Sequence, residues 1–156
     1  MIGQSKAAKW LRWVREGATI FSTCGKRNYM AVILDDNGHV LGTGYNGGPK
    51  GSKHCVDGGC PRFIEGSPTG SSYDNCIAIH AEQNALLHSD YSARQGGTII
   101  VNGPPCFTCA KLIVNSGVTQ LVYLTDDAYA QWPEIAEFLT NHDVELMGWG
   151  SDELDG

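Results

Sequence analysis

The stretch Ile77-Ala78-Ile79-His80-Ala81-Glu82-Gln83-Asn84-Ala85-Leu86-Leu87-His88-Ser89 reads as a buried helix whose first turns present His80 and Glu82. Its counterpart is Pro104-Pro105-Cys106-Phe107-Thr108-Cys109, where two prolines stop a strand and place both cysteines at the start of the next helix. One imidazole and two thiolates suit Zn²⁺, and three protein ligands leave the fourth tetrahedral position open for water. His80, Cys106 and Cys109 are therefore the predicted ligands of a catalytic zinc. Glu82 is separated from His80 by one alanine, so its carboxylate reaches the metal's water without becoming a ligand and is the predicted proton shuttle. A lone Cys-x-x-Cys also suits a redox pair or a structural zinc. The histidine, the glutamate and the proline brake beside it select the catalytic reading.

Outward from this pair, Thr98 to Val101 and Gln120 to Leu124 are short apolar runs on either side of a helix from Phe107 to Asn115, which Gly117 ends. Earlier, Tyr29 to Leu34 and His39 to Thr43 form a hairpin around Asp35-Asp36-Asn37-Gly38. Ser5 to Phe21 has the apolar spacing of an amphipathic helix, and Pro133 opens another helix to Thr140 before a last strand, Val144 to Met147. Strands alternating with helices after a hairpin predict a three-layer α/β/α sandwich with a mixed sheet of about five strands. The 156 residues, 1–156, make one domain's worth of chain, with 151–156 expected as a mobile acidic tail.

From Gly44 to Ser72 the chain is rich in glycine, proline, serine and cysteine and has no period, so this long loop needs something to pin it. Six cysteines in a chain of this kind are better read as thiols or ligands than as disulfides. Four of them, Cys24, Cys55, Cys60 and Cys76, would close one structural zinc site and pin the loop, with His54 able to replace one of them. His39, His88 and His142 have no partner pattern. The net charge is −6 and the basic residues are scattered, which argues against a long nucleic acid but leaves a single anionic nucleotide open. No apolar run approaches the roughly 20 residues that span a bilayer, and the first 15 residues lack a signal peptide's apolar block. A cytoplasmic protein with no membrane partner is expected.

The joint pattern His-x-Glu with Pro-Cys-x-x-Cys matches the signature of zinc-dependent nucleobase deaminases. Within that superfamily, Gly44-Tyr45-Asn46-Gly47-Gly48-Pro49, His80-Ala81-Glu82-Gln83-Asn84-Ala85 and Pro105-Cys106-Phe107-Thr108-Cys109-Ala110-Lys111 resemble the deoxycytidylate deaminases, which convert dCMP to dUMP. The resemblance runs from about Ser22 to about Val144 and implies the cytidine deaminase-like fold. It implies that Asn46 contacts the deoxyribose, that Lys26 or Arg27 holds the 5′-phosphate, and that Tyr129 closes over the substrate. The family's usual Val-Gly-Ala after the phosphate-binding cation is replaced here by Tyr29-Met30-Ala31. It further implies a homo-oligomer, a hexamer in many members, with dCTP activating and dTTP with Mg²⁺ inhibiting near Tyr45, Asn46 and Lys50. Trp10 and Trp13 are available for a subunit contact. Other deaminases of the superfamily, acting on 5-substituted dCMP, free cytidine or tRNA adenosine, are the nearest alternatives. An inactive zinc module is the alternative from another class, and Glu82 counts against it.

Overall fold

The computed structural model describes residues 1–68 and 73–156. Its centre is β1 (Met30–Leu34), five consecutive buried apolar residues. Such a run is what a strand covered on both faces requires. On one side β1 pairs antiparallel with β2 (Val40–Tyr45), and on the other antiparallel with β3 (Thr98–Val101). Parallel pairing then adds β4 (Gln120–Leu124) and β5 (Glu145–Trp149), giving one five-stranded sheet in the order β2-β1-β3-β4-β5. The hairpin turn is closed by Asp35, whose Oδ1 accepts the amide hydrogens of Asn37 at 2.9 Å and His39 at 2.8 Å. Gly38 takes the left-handed backbone this turn needs, at φ 84°.

Strand periodicity sends adjacent residues to opposite faces. Ile33, Ile99 and Leu121 therefore pack on one side with Ala85, Ile113 and Leu139, which come from α3 (Ala81–Leu87), α4 (Phe107–Asn115) and α5 (Trp132–Asn141). Their neighbours Val32, Ile100 and Val122 pack on the other side against Leu11, Val14 and Ala18 of α1 (Gln4–Phe21). The three-layer sandwich and the mixed sheet of five strands are as expected.

Two boundaries differ from the sequence reading in ways that shape the site. The central helix starts at Ala81, later than Ile77, because Gln83 Oε1 accepts the His80 amide hydrogen at 2.8 Å and caps the first turn. Ahead of it, Ile79 exchanges two backbone hydrogen bonds with Gly47, at 2.8 and 3.2 Å, which holds the approach extended. Within the glycine-rich segment, β2 continues through Tyr45, residues 55–57 make a 3₁₀ turn and α2 (Pro61–Ile64) a single helical turn. Residues 69–72 of that segment lie outside the described residues.

The carboxyl-terminal segment corrects the expectation of a mobile tail. Ser151–Asp155 form a short helix, α6, whose Leu154 is fully buried with the α1 residues. Arg12 donates from Nε to the Leu154 carbonyl at 2.9 Å, and Arg15 pairs with Asp155 at 2.6 Å. One leucine among acidic residues is enough to dock the turn, since a buried leucine outweighs the local charge. Leu154→Ala should lower unfolding stability by about 2–4 kcal/mol, whereas Arg15→Ala, which breaks an exposed pair, should cost less than about 1 kcal/mol. Urea unfolding of both variants measures the difference, and a Leu154→Ala protein as stable as the parent would contradict the docked helix.

Candidate active site

His80 stands immediately before α3 and Cys106 immediately before α4, so two neighbouring helix starts face each other across the sheet end. His80 Nδ1 lies 3.5 Å from Cys106 Sγ and 3.3 Å from Cys109 Sγ, and the ligand atoms of all three residues fall within 4.8 Å of one another. Zn–S and Zn–N bonds of about 2.3 and 2.0–2.1 Å at a tetrahedral angle put S and N about 3.6 Å apart. The donor set and its spacing therefore fit zinc. Cys109, hydrogen-bonded to Cys106, together with His80 holds the Cys106 thiol down to about 4, so this thiol is a thiolate at neutral pH. Cys109 is pushed up by that same hydrogen bond and by burial, and His80 is raised by its bond to Cys106. Glu82 is buried at 6% exposure, and loss of solvent pushes its carboxyl above the ordinary range, a condition suited to a group that must both take and give a proton.

A cavity opens on Glu82, His80 and Cys106, and the four side chains read as substrate contacts all line it: Lys26, Arg27, Asn46 and Tyr129. Tyr129 is half-buried beside Tyr29, and loss of solvent raises its hydroxyl. Arg27 donates to Tyr29 Oη at 3.2 Å and lies 3.8 Å from Asp127. Asn46 is committed to the backbone. Its Oδ1 accepts the Tyr29 amide hydrogen at 2.9 Å and also contacts Ser22 Oγ, while Nδ2 donates to the Arg27 carbonyl at 2.8 Å. In this state its side chain holds the cation-bearing loop in place.

The helix α3 lies close to β2 because Gly44 has no side chain. A Cβ there would sit 2.3 Å from the Ala81 carbonyl oxygen and 2.4 Å from the Ala85 nitrogen.

Cys24, Cys55, Cys60 and Cys76 are neighbours without closing to the spacing of the His80 group, which among the described residues is the one set of ligand atoms that tight. Cys60 hydrogen-bonds with both Cys55 and Cys76, and Cys24 lies near enough to act on both by charge. His54 is exposed at the start of the 3₁₀ turn, and all six cysteines are free. Sequence reasoning missed Tyr29 and Arg62, which also line the cavity. Arg62 had one legible signal: it follows Cys60 by two residues, as Lys26 follows Cys24.

A profile described as the cytidine and deoxycytidylate deaminase zinc-binding region matches residues 4–125. The deoxycytidylate deaminase of Schizosaccharomyces pombe is 41% identical over 106 residues, which are 67% of this chain and 32% of that protein. The deoxycytidylate deaminase of Mycobacterium phage D29 is 41% identical over 107 residues, 65% of this chain and 81% of its own length. The chain thus spans about a third of the yeast relative and most of the phage one. In three dimensions, the dCMP deaminase of cyanophage S-TIM5 in complex with dCMP and dUMP superposes with a TM-score of 0.71 at 22% identity, covering 96% of this chain and 100% of that one. At that identity the likeness speaks for the fold.

Asn46→Ala should cost about 1–3 kcal/mol, because it strands a backbone donor at Tyr29 and a backbone acceptor at Arg27. Thermal melting of the zinc-loaded protein reads the loss. Hydrogen exchange should show it as faster opening of residues 22–29, and unchanged protection there would contradict the tether.

Proposed function

The chain belongs to the cytidine and deoxycytidylate deaminase zinc-binding family, and on that premise we propose that it hydrolyses dCMP to dUMP and ammonia, supplying dUMP for thymidylate synthesis. One observation carries the reading: a buried carboxylate, Glu82, stands beside a His/Cys/Cys donor set at the end of a cavity that also presents Lys26 and Arg27. A metal site of purely structural use gains nothing from that carboxylate. A pocket for a neutral base alone gains nothing from the cations.

When bound, zinc lowers the pKa of a coordinated water toward about 7 and so supplies a nucleophile at neutral pH. His80, Cys106 and Cys109 would hold it. Glu82 takes the proton from the attacking water and passes it to N3 of the cytosine, which makes C4 electrophilic. It then moves a second proton to the amino group as the C4–N bond breaks and ammonia leaves. Burial serves this double task by bringing the carboxyl's affinity for a proton closer to that of the groups it exchanges with. Tyr129 and Tyr29 wall the cavity, Asn46 is in reach of a sugar, and Lys26 and Arg27 meet the phosphate.

Supporting a second, structural zinc is the neighbourhood of Cys24, Cys55, Cys60 and Cys76, whose thiols influence one another's protonation beside one wall of the cavity. A hexamer is favoured by apolar side chains left exposed on and beside α1, namely Trp13, Ile20, Phe21 and Tyr45, with Phe21 and Tyr45 stacked at 6.0 Å. Control by dCTP and by dTTP with Mg²⁺ would act near Tyr45 and Lys50, both exposed. No helix among the described residues is long and apolar enough to cross a membrane, and six free cysteines fit a reducing compartment such as the cytoplasm.

Incubation with dCMP, CMP, deoxycytidine and 5-methyl-dCMP, following ammonia, tests the substrate; dCMP should be deaminated most efficiently. Glu82→Gln should keep its zinc and lose at least about a hundredfold in kcat, the low end of what acid-base catalysis contributes, while Cys106→Ser should lose the catalytic metal. Elemental analysis should give two zinc ions per chain, and one ion with Cys55 and Cys60 freely alkylated would remove the second site. Saturation curves for dCMP should shift with dCTP and oppositely with dTTP plus Mg²⁺; a hyperbola that neither nucleotide moves would remove the regulatory site.

A further inference from the structure

Two asparagines stand just past the ends of two strands, and both turn their side chains onto the same segment. Asn46 is the first residue beyond β2, and Asn102 is the first beyond β3. Between them run residues 27–30, which lead into β1. Asn46 Nδ2 donates to the Arg27 carbonyl, and its Oδ1 accepts the Tyr29 amide hydrogen. Asn102 repeats the pattern one residue on: Nδ2 donates to the Asn28 carbonyl at 2.9 Å, and Oδ1 accepts the Met30 amide hydrogen at 2.8 Å. Alternate residues of an extended chain aim their backbone groups at opposite edges, and a primary amide offers the same donor and acceptor as a peptide group. The two side chains therefore continue the β2 and β3 ladders for residues that neither strand is long enough to pair.

The clamp on the β3 side is also tied to the metal end of the cavity. Asn102 opens the stretch Asn102-Gly103-Pro104-Pro105-Cys106, in which two fixed proline φ angles leave little freedom between the amide and the thiol. Gly103 makes a second contact with the same segment. A Cβ on it would sit 2.6 Å from Cε1 of Tyr29, so the tyrosine ring lies directly on the glycine. Tyr29 lines the cavity, and its hydroxyl accepts a hydrogen bond from Arg27 Nη1 at 3.2 Å. Asn102 and Gly103 thus fix the ring, and the ring in turn steadies the guanidinium.

We infer that Asn102 is a positioning residue of this site: from outside the cavity it sets Tyr29, and through Tyr29 the Arg27 side chain, at a fixed place relative to the Cys106 turn. The assignment rests on the proposed dCMP reaction for its substrate and on the clamp for its geometry. Without Asn102, residues 27–30 must be ordered each time substrate binds, and an affinity is reduced by the fraction of the protein in the competent arrangement. Glu82 and the three donor residues stay where α3 and α4 place them. The cost accordingly falls on binding, with the chemical step left nearly as it was.

Steady-state kinetics of zinc-loaded variants test this, with ammonia release followed on the cytosine compound that the parent deaminates best. Asn102→Ala should keep the parent's zinc content and raise KM about tenfold, the worth of one or two ordinary hydrogen bonds, while kcat changes less than about threefold. Hydrogen exchange should show its Met30 amide opening faster. Gly103→Ala removes no hydrogen bond and demands no left-handed backbone, yet it displaces the Tyr29 ring, and it should raise KM in the same direction. In a Tyr29→Ala background, where the ring is already gone, adding Asn102→Ala should raise KM less than about twofold further, because residues that act through one another are not additive. The assignment is overturned by an Asn102→Ala protein with the parent's KM or Met30 exchange, by one that loses zinc or whose kcat falls as far as its KM rises, by full additivity with Tyr29→Ala, or by a Gly103→Ala protein with unchanged KM. A parent that works best on a compound other than dCMP overturns the dCMP reading and leaves this test intact on that compound, whereas a parent that deaminates none of them overturns both.

Discussion

Two helices begin at the same place, and the donor set depends on it. His80 precedes α3 and Cys106 precedes α4, so the direction of each helix, set by its packing on the sheet, aims one ligand at the other. Cys109 follows within the first turn of α4, where its hydrogen bond to Cys106 holds that neighbour as the thiolate. That convergence requires β1 and β3 to be adjacent, and their adjacency rests on runs of apolar residues that can be buried on both faces. Disturbing the sheet would therefore disperse the ligands before it altered any of them.

The second dependence runs through the glycine-rich segment. Gly44 lets α3 approach β2, Gly47 bridges Ile79 just ahead of His80, and Asn46 between them holds the loop that carries Lys26 and Arg27. A single short stretch thus ties the metal end of the cavity to its cationic end. Asn46 is consequently a structural tether in this state as well as a wall of the cavity, and a substrate that engages it must compete with Tyr29 and Arg27 for its amide.

Charge is distributed against the average of the chain. Acidic residues dominate the composition, yet the cavity gathers three cations and one buried carboxylate. The separation is spatial: the His80, Cys106 and Cys109 donor set and Glu82 stand at one end, and the cations at the other. Net charge alone would have described neither end, because a site responds to charges within a few ångströms and screening removes most of the rest.

Much was legible in the residues by themselves. The limits of β3, α4 and β4, the hairpin, and the candidate group of His80, Cys106 and Cys109 with Glu82 beside it follow from local pattern, because apolar period, proline stops and ligand spacing act over a few residues. Tertiary structure decided what depends on distant partners. The start of α3 at Ala81 needed Gln83 as a cap and Gly47 as a bridge; the docking of α6 needed α1 to bury Leu154; and Asn46 needed Tyr29 and Arg27 to become a tether. Arg62 joined the cavity for the same reason. A basic residue in a glycine-rich stretch reads as a solvated charge until the fold closes a wall around it, and burial is a property of the whole packed chain that no local window contains.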